Sequence, residues 1–358
     1  MAVQRIGLVV HRGRPAAVEV ARAVRSWCAE RAVPCRELDG EPDVEGTGGG
    51  RAGEVPAGHP GLVVTLGGDG TFLRGARIAA RYDAEVLGVD LGRVGFLTEV
   101  PAEEVTGALD AVDAGLATIE ERMTLTLRAS RALELPTGVE ALLRHGRGPA
   151  LPPPRVLPRD PAEEEGWGVA LDVTAVNDVV LEKLARDRQV NLGVYVAGRL
   201  LASYSADALI VATPTGSTAY SFAAGGPVLS PRMDAVVFTP VAPHMTFDRT
   251  IVAAPDEPVA LRVLPHSGAV ALSIDGRLSG ALEPGDWVGV YGATYRLRLV
   301  RLGPVDFYTR LRERFRLTDA PATASDGEAA PLFRPDSRVP ADLARLSLPP
   351  RPAPPSRD

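Results

Sequence analysis

Cysteine is nearly absent: only Cys28 and Cys35 occur in 358 residues. That excludes a disulfide framework and a multi-cysteine zinc site, and the two thiols read as buried or idle. Long apolar runs are missing too, the longest being strand-sized, which excludes a membrane-spanning helix. The stretch Met1 to His11 lacks the apolar core and small-residue cleavage site of a signal peptide and reads as a first strand, so a cytoplasmic location is expected. Positive charge is not in excess: 45 acidic against 39 basic residues leave a net charge of −6. This disfavours general nucleic-acid binding, and a nucleotide fits the balance better as an anionic partner. There is no GxxxxGK[ST] loop, no protein-kinase signature set, no HExxH pair among the five histidines and no internal repeat. Any phosphate must therefore be held mainly by backbone amides and scattered cations, of which arginine is far commoner than lysine.

With 45% hydrophobic residues, the chain can bury one large or two ordinary cores, and its length favours two domains. Arg5 to His11 reads as a strand, Pro15 to Arg31 as a helix with Val18, Ala21, Val24 and Cys28 on one face, and Cys35 to Leu38 as a second strand, a βαβ alternation. A Gly/Pro/Glu-rich loop is expected from Asp39 to Pro60. It is followed by a strand at Leu62 to Leu66, a helix at Phe72 to Arg81, a strand at Val86 to Val89 and an amphipathic helix at Ala102 to Leu116. This predicts a doubly wound α/β domain with a parallel sheet over residues 1–122. From Met123 the texture changes to short alternating strands, predicting an all-β, sandwich-like second domain over 123–302 with a Pro/Arg/Glu-rich loop insertion at about 133–167. Residues 320–358, rich in proline, are expected to be disordered.

Three arrangements carry chemistry. Gly67-Gly68-Asp69-Gly70-Thr71 stands between an apolar strand and a helix, at the carboxyl end of a strand, where open α/β sheets bind ligands. Glycines let amides converge on phosphate oxygens beside a helix N-terminus, and Asp69 can accept the proton of a hydroxyl that attacks a phosphoryl group. The same residues would equally serve as a strand-to-helix turn with Asp69 as the helix cap. Asn177-Asp178 offers an amide for a base edge and a carboxylate for two ribose hydroxyls, or simply a turn. Thr213-Pro214-Thr215-Gly216-Ser217-Thr218-Ala219-Tyr220 offers hydroxyls, small residues that admit a planar ring, and one aromatic to stack on it, or else a polar capping turn.

The ordered set of all three resembles the NAD kinase family. Gly92-Arg93-Val94-Gly95-Phe96-Leu97, Gly225-Gly226-Pro227, Pro243-His244 and Ile274-Asp275-Gly276 support the resemblance, which runs from about Arg5 to Leu317 outside the two loops. It implies transfer of the γ-phosphoryl of ATP to the 2′-hydroxyl of the adenosine ribose of NAD, with a divalent metal, Mg2+, on the donor phosphates. Small-molecule nucleotides are then the partners, the assembly is a homodimer or homotetramer, and the segment 303–319 returns to pack on the first domain. Residue by residue, it implies Asp69 as proton acceptor with Gly70 beside it, Asn177 at adenine, Asp178 on ribose hydroxyls and Asp207 at the nicotinamide end. Thr218, Ala219, Tyr220, Ser221, Phe222 and Ala223 would line the adenosine pocket and Ala242 would lie near the ligand, while Arg74, Arg188 and Arg277 would approach phosphates. Three positions depart from the family pattern and bear on affinity or substrate choice: Asp178 where Glu is usual, Ala208 after Asp207 where Gly is usual, and Asp90 where Asn is usual. A non-catalytic or weakly active NAD(P)(H)-binding paralogue, or a lipid or sugar kinase of the wider GGDG group, is the alternative these features allow.

Overall fold

The computed structural model describes residues 3–38, 59–92, 95–135, 153–158, 168–184, 188–245, 247–303 and 307–317. Two compact units divide the chain, Met1–Phe307 and Tyr308–Asp358. Of the second, only residues 308–317 are described, the helix Phe307–Phe315 without its first residue and the two residues after it. The expected loops at 39–60 and about 133–167 lie largely outside the described residues, as does the tail from 320.

The first part is the expected α/β wind. Strands β1 (Ile6–Val10), β2 (Cys35–Glu37), β3 (Leu62–Leu66) and β4 (Glu85–Asp90) lie parallel in the order β2-β1-β3-β4, with a short β5 (Val100–Pro101) beside β4. Helices α1 (Pro15–Glu30) and α3 (Val105–Asp113) cover one face, and α2 (Asp69–Ala80) covers the other. Alternate residues of each strand feed the two cores: Leu62, Val64 and Leu66 pack with α1 and α3, whereas Val9, Val63 and Val86 pack with α2. Burial on both faces explains why these strands read as near-continuous apolar runs. From β1 the chain winds one way to β2 and the other way through β3 and β4. The crevice where a doubly wound sheet takes its ligand therefore opens at the carboxyl ends of β1 and β3.

The second part is β-rich. Strands β6 (Thr118–Ala129), β7 (Val169–Ala170), β8 (Asp178–Lys183), β9 (Val190–Val196), β10 (Arg199–Ala206), β11 (Ala208–Ala212), β12 (Val236–Val241), β13 (Ile251–Ala253), β14 (Val259–Val263), β15 (Val270–Ile274), β16 (Arg277–Leu282) and β17 (Trp287–Arg301) follow. A six-stranded sheet, β13-β12-β11-β8-β15-β16, faces β10-β9-β14-β17 with β6. Inward side chains such as Val179, Leu181, Leu209 and Leu272 from one sheet meet Leu125, Leu192, Leu261 and Val290 from the other, the alternation a sandwich requires.

Where short alternating strands were expected throughout, Trp287–Arg301 forms one continuous strand, β17. A register shift between Gly292 and Arg296 bends it without ending its pairing to β6. Its early residues pair with β14, and Leu299 pairs in parallel with Val86 of β4, so one eleven-stranded sheet runs from the sandwich into the α/β wind. A local break in the apolar alternation reads as a turn in the sequence, whereas a bulge absorbs it here. The second helix also starts earlier than its apolar periodicity suggests, at Asp69 itself.

Candidate active site

The turn after β3 delivers Asp69 to the first position of α2, with Gly68 as N-cap and no side-chain capping bond. The carboxylate is spent elsewhere: the backbone N–H of Phe96 donates to Oδ2 (3.3 Å) and that of Leu97 to Oδ1 (3.2 Å). Capping is therefore not the task of Asp69. Gly95 is required by this approach, since a Cβ there would lie 2.6 Å from Asp69 Cγ and 2.7 Å from Oδ2. The loop carrying Gly95 is itself fixed by Asp90, one of the departures from the family pattern. Buried Asp90 accepts from the N–H of Gly92 (2.7 Å), the N–H of Gly95 (3.2 Å) and the Thr98 hydroxyl (3.0 Å).

Gly70, Arg74 and Arg77 share one stripe of α2 at i, i+4, i+7. The Arg74 Nη2 donates to the Val10 carbonyl (2.6 Å), which places this arginine at the carboxyl end of β1, in the crevice. Arg77 approaches Asp275 (Nη1 to Oδ2, 3.8 Å). Burial, then the neighbouring guanidiniums, lowers the pKa of Arg74 and of Arg277 below the usual arginine value. Arg74, Arg77 and Arg277 thus form a concentrated positive patch that favours an anion.

Beside this patch is a pocket of about 200 Å³ whose lining includes Asn177, Asp178, Val180, Glu182, Ala219, Tyr220, Ser273 and Asp275. Alternation along β8 puts Asp178, Val180 and Glu182 on this outer face while Val179 and Leu181 enter the sandwich core. The Ser273 hydroxyl donates to Glu182 (3.1 Å). Tyr220 packs its ring near Val180, Ala208 and Ile210 on the same outer face.

The hydroxyls of the Thr213–Ser221 stretch mostly bind the stretch itself. Thr213 donates to the Val176 carbonyl (2.6 Å) and accepts from Gly216 N–H (3.0 Å), Ser217 donates to the Pro214 carbonyl (2.7 Å), Thr218 donates to the Thr215 carbonyl (3.3 Å), and Ser221 pairs with Thr239 (2.9 Å). They shape the loop and press it on the Asn177 turn so closely that a Cβ at Gly216 would lie 2.7 Å from the Asn177 Cα. Ala219 and Tyr220 remain to face the pocket. Phe222 and Ala223 are exposed, as are Arg188, just ahead of β9, and Ala242, which follows β12 at φ 45°. Asp207 does not line this pocket: Lys183, the single lysine of the chain, binds it at 2.6 Å (Nζ to Oδ1).

Three contributors went unremarked as site residues in the sequence: Arg77, Glu182 and Asp275. Each carried a faint local signal, one helical turn from Arg74, two strand steps from Val180 on one face, and within the Ile274-Asp275-Gly276 run. Further back, a buried relay supports the loop. Arg301 donates to Glu99 (2.7 Å) and Glu120 (2.6 Å), and Arg122 donates to Glu120 (2.8 Å) and to the Thr215 hydroxyl (3.3 Å). Although burial pushes Glu120 up, the Arg122 and Arg301 guanidiniums prevail and hold it below the ordinary carboxylate range.

An acid held in a glycine turn at the switch point of an α/β sheet, flanked by an arginine patch and a pocket on an adjoining β-rich domain, defines a phosphotransferase acting on a nucleotide. Residues 58–117 match the ATP-NAD kinase N-terminal domain and residues 176–302 the ATP-NAD kinase C-terminal domain. NAD kinase 1 of Streptomyces avermitilis is 67% identical over 98% of both chains, and that of Streptomyces coelicolor 66% identical over 98% of this chain and 96% of its own. The fold is that of solved relatives as well. Yeast NADH kinase complexed with NADH superposes with a TM-score of 0.65 at 21% identity, covering 89% of each chain. An NAD kinase from Archaeoglobus fulgidus in complex with ATP gives 0.60 at 18%, covering 87% of this chain and 98% of that one. The chain belongs to the NAD kinase family, and its activity is the ATP-dependent phosphorylation of NAD.

Proposed function

We propose that Asp69 is the proton acceptor for the 2′-hydroxyl of the adenosine ribose of NAD, and that the pocket of Asn177, Asp178, Ala219 and Tyr220 holds the dinucleotide for that attack. The observation that carries this is the two-point fixing of the Asp69 carboxylate by Phe96 and Leu97 N–H. A carboxylate tied at both oxygens and not used as a helix cap is aimed, and each oxygen keeps a lone pair for a substrate hydroxyl. Phosphoryl transfer asks little basicity of the acceptor, because catalysis comes chiefly from alignment and from neutralising charge on the transferring group.

The positive charge has two protein sources here. One is the N-terminus of the twelve-residue α2, with its free N–H groups and dipole. The other is the patch of Arg74, Arg77 and Arg277, which we assign to the phosphates, together with Gly70 for close backbone approach. Asn177 has the donor and acceptor pair to read adenine, Asp178 is an acceptor for a ribose diol, and Tyr220 offers a ring face to a base. Thr218, Ser221, Phe222, Ala223 and Ala242 shape the pocket's rim in this reading, and Asp207 and Arg188 act at its periphery.

Among the described residues no three His, Cys, Asp or Glu side chains cluster into a metal cage. We read Mg2+ as arriving on the donor phosphates rather than in a cage of protein ligands. Bound there, the ion would neutralise phosphate charge. We also read residues 1–122 and 123–302 as the two domains, the protein as cytoplasmic and the working assembly as a homodimer or homotetramer.

The direct test incubates the protein with NAD, ATP and magnesium and measures product with a dehydrogenase that accepts only NADP, running Asp69→Asn in parallel. A large loss of turnover in the variant, with NAD affinity kept, is expected. Unchanged turnover would remove Asp69 from the mechanism.

A further inference from the structure

Asp275 lies at the hairpin between β15 and β16, in a left-handed conformation (φ 46°) followed by Gly276 at φ 72°. Its side chain is 0% exposed. Burial pushes its pKa up, against the Arg77 charge and a set of backbone donors. Those donors are unusual in coming from three successive residues: the N–H groups of Val176 (3.1 Å to each oxygen), Asn177 (2.7 Å) and Asp178 (3.3 Å). In return the N–H of Asp275 donates to the Asp178 carbonyl (2.9 Å). One carboxylate therefore closes an entire turn, and that turn carries the two side chains turned toward the nucleotide pocket. On the other side Asp275 faces Arg77 of α2, the helix that begins at Asp69. Val176 packs its own side chain into the core beneath the same helix.

We propose that Asp275 is a positioning residue for substrate binding: it fixes the Val176–Asp178 turn so that Asn177 and Asp178 are set for NAD before it arrives, and it ties this turn to the catalytic helix through Arg77. The proposal rests on the pocket being the NAD site. The chemistry needs a carboxylate. Four donor contacts shared over two oxygens match its acceptor-only character, whereas an amide would turn an NH2 group toward backbone N–H groups that also donate. In Asp275→Asn the amide oxygen can keep the three N–H groups at the Oδ1 position, but its NH2 then stands against the Val176 N–H and the Arg77 guanidinium and the charge facing Arg77 is lost, so the turn relaxes. The loss should appear where preorganisation acts, in substrate capture rather than in turnover of bound substrate.

The test measures kcat and KM for NAD in four variants: Asp275→Asn, Asn177→Ala, Asp178→Ala and Asp286→Asn. Asp286 is a matched control, since it too binds a loop through several donors, Ser130, Arg131 and the Glu283 N–H, away from the pocket. Expected is a rise of tenfold or more in KM for NAD in Asp275→Asn, with kcat at saturating NAD within about threefold of wild type. Asp286→Asn should lose thermal stability with KM unchanged. Should Asp275→Asn prove too unstable to purify, Asp275→Ser, which keeps a hydroxyl acceptor for part of the turn, carries the same expectation. If the Asn177 and Asp178 variants raise KM and Asp275 variants do not, the positioning role is overturned while the pocket assignment stands. If none of the three positions affects KM, the pocket assignment fails and the proposal falls with it. A KM change in Asp286→Asn equal to that in Asp275→Asn would reduce the effect to general destabilisation and likewise overturn it.

Discussion

Replacing Gly95 by alanine should uncouple Asp69 from its chemistry without dismantling the fold. The new methyl would stand 2.6 Å from the Asp69 Cγ and 2.7 Å from Oδ2, against an ordinary carbon contact of about 3.5 Å, so roughly 1 Å of displacement is needed. The loop has little freedom to supply it, because the Gly95 N–H is held by both Asp90 and Thr98. The carboxylate must therefore move and give up its bonds to Phe96 and Leu97. A misplacement of about 1 Å in a reacting group lowers turnover on the order of a hundredfold, equivalent to about 2.7 kcal/mol of activation free energy. The accompanying overpacking costs about 1–3 kcal/mol of stability, measurable by denaturant titration. Steady-state NADP formation at saturating ATP and NAD reads the first effect, and NAD titration followed by tryptophan or ligand fluorescence checks that binding persists. A folded Gly95→Ala protein with kcat within threefold of wild type would refute the claim that this contact aims Asp69.

Gly216→Ala should act on binding instead, since its Cβ would strike the Asn177 backbone; a raised KM for NAD with a smaller change in kcat is expected from initial rates over a range of NAD. Arg301→Met removes the guanidinium paired with Glu99, whose side chain is 8% exposed, while Glu120, 24% exposed, keeps Arg122, and should lower unfolding free energy by about 3 kcal/mol in chemical denaturation. Glu120 is held below its ordinary value of 4.5 in the fold. Its contribution to stability is therefore complete above about pH 4.5 and is lost as pH falls through the lower folded value, so the thermal midpoint of Glu120→Gln should depend less on pH across that acid window than that of wild type. Burial and the adjoining Cys35 push the Cys28 thiol up to about 12, so alkylation at neutral pH should be far slower in the native protein than in denaturant, as followed by mass spectrometry.

Amino-acid order alone was enough to specify the parallel α/β wind, because strands buried on both faces are written as near-continuous apolar runs such as Leu62 to Leu66, broken only by Thr65, and helices as their periodic neighbours. It was enough also for the acid in its glycine turn and for the family motifs, since these are local patterns of side-chain chemistry. Three things required the tertiary structure. The continuity of β17 across its bulge joins the sandwich to the parallel sheet, and nothing in a short apolar break distinguishes a bulge from a turn. The hydroxyls of Thr213 to Ser221 could have served ligand or loop, and the geometry assigns most of them to the loop. Finally, Asp69 depends on N–H groups 27 and 28 residues away, and Asp275 on N–H groups 97 to 99 residues away. Backbone donors are common to every residue but proline, so sequence gives no sign of which of them a carboxylate will meet; only the folding together of β3, β4, β8 and β15 brings them there.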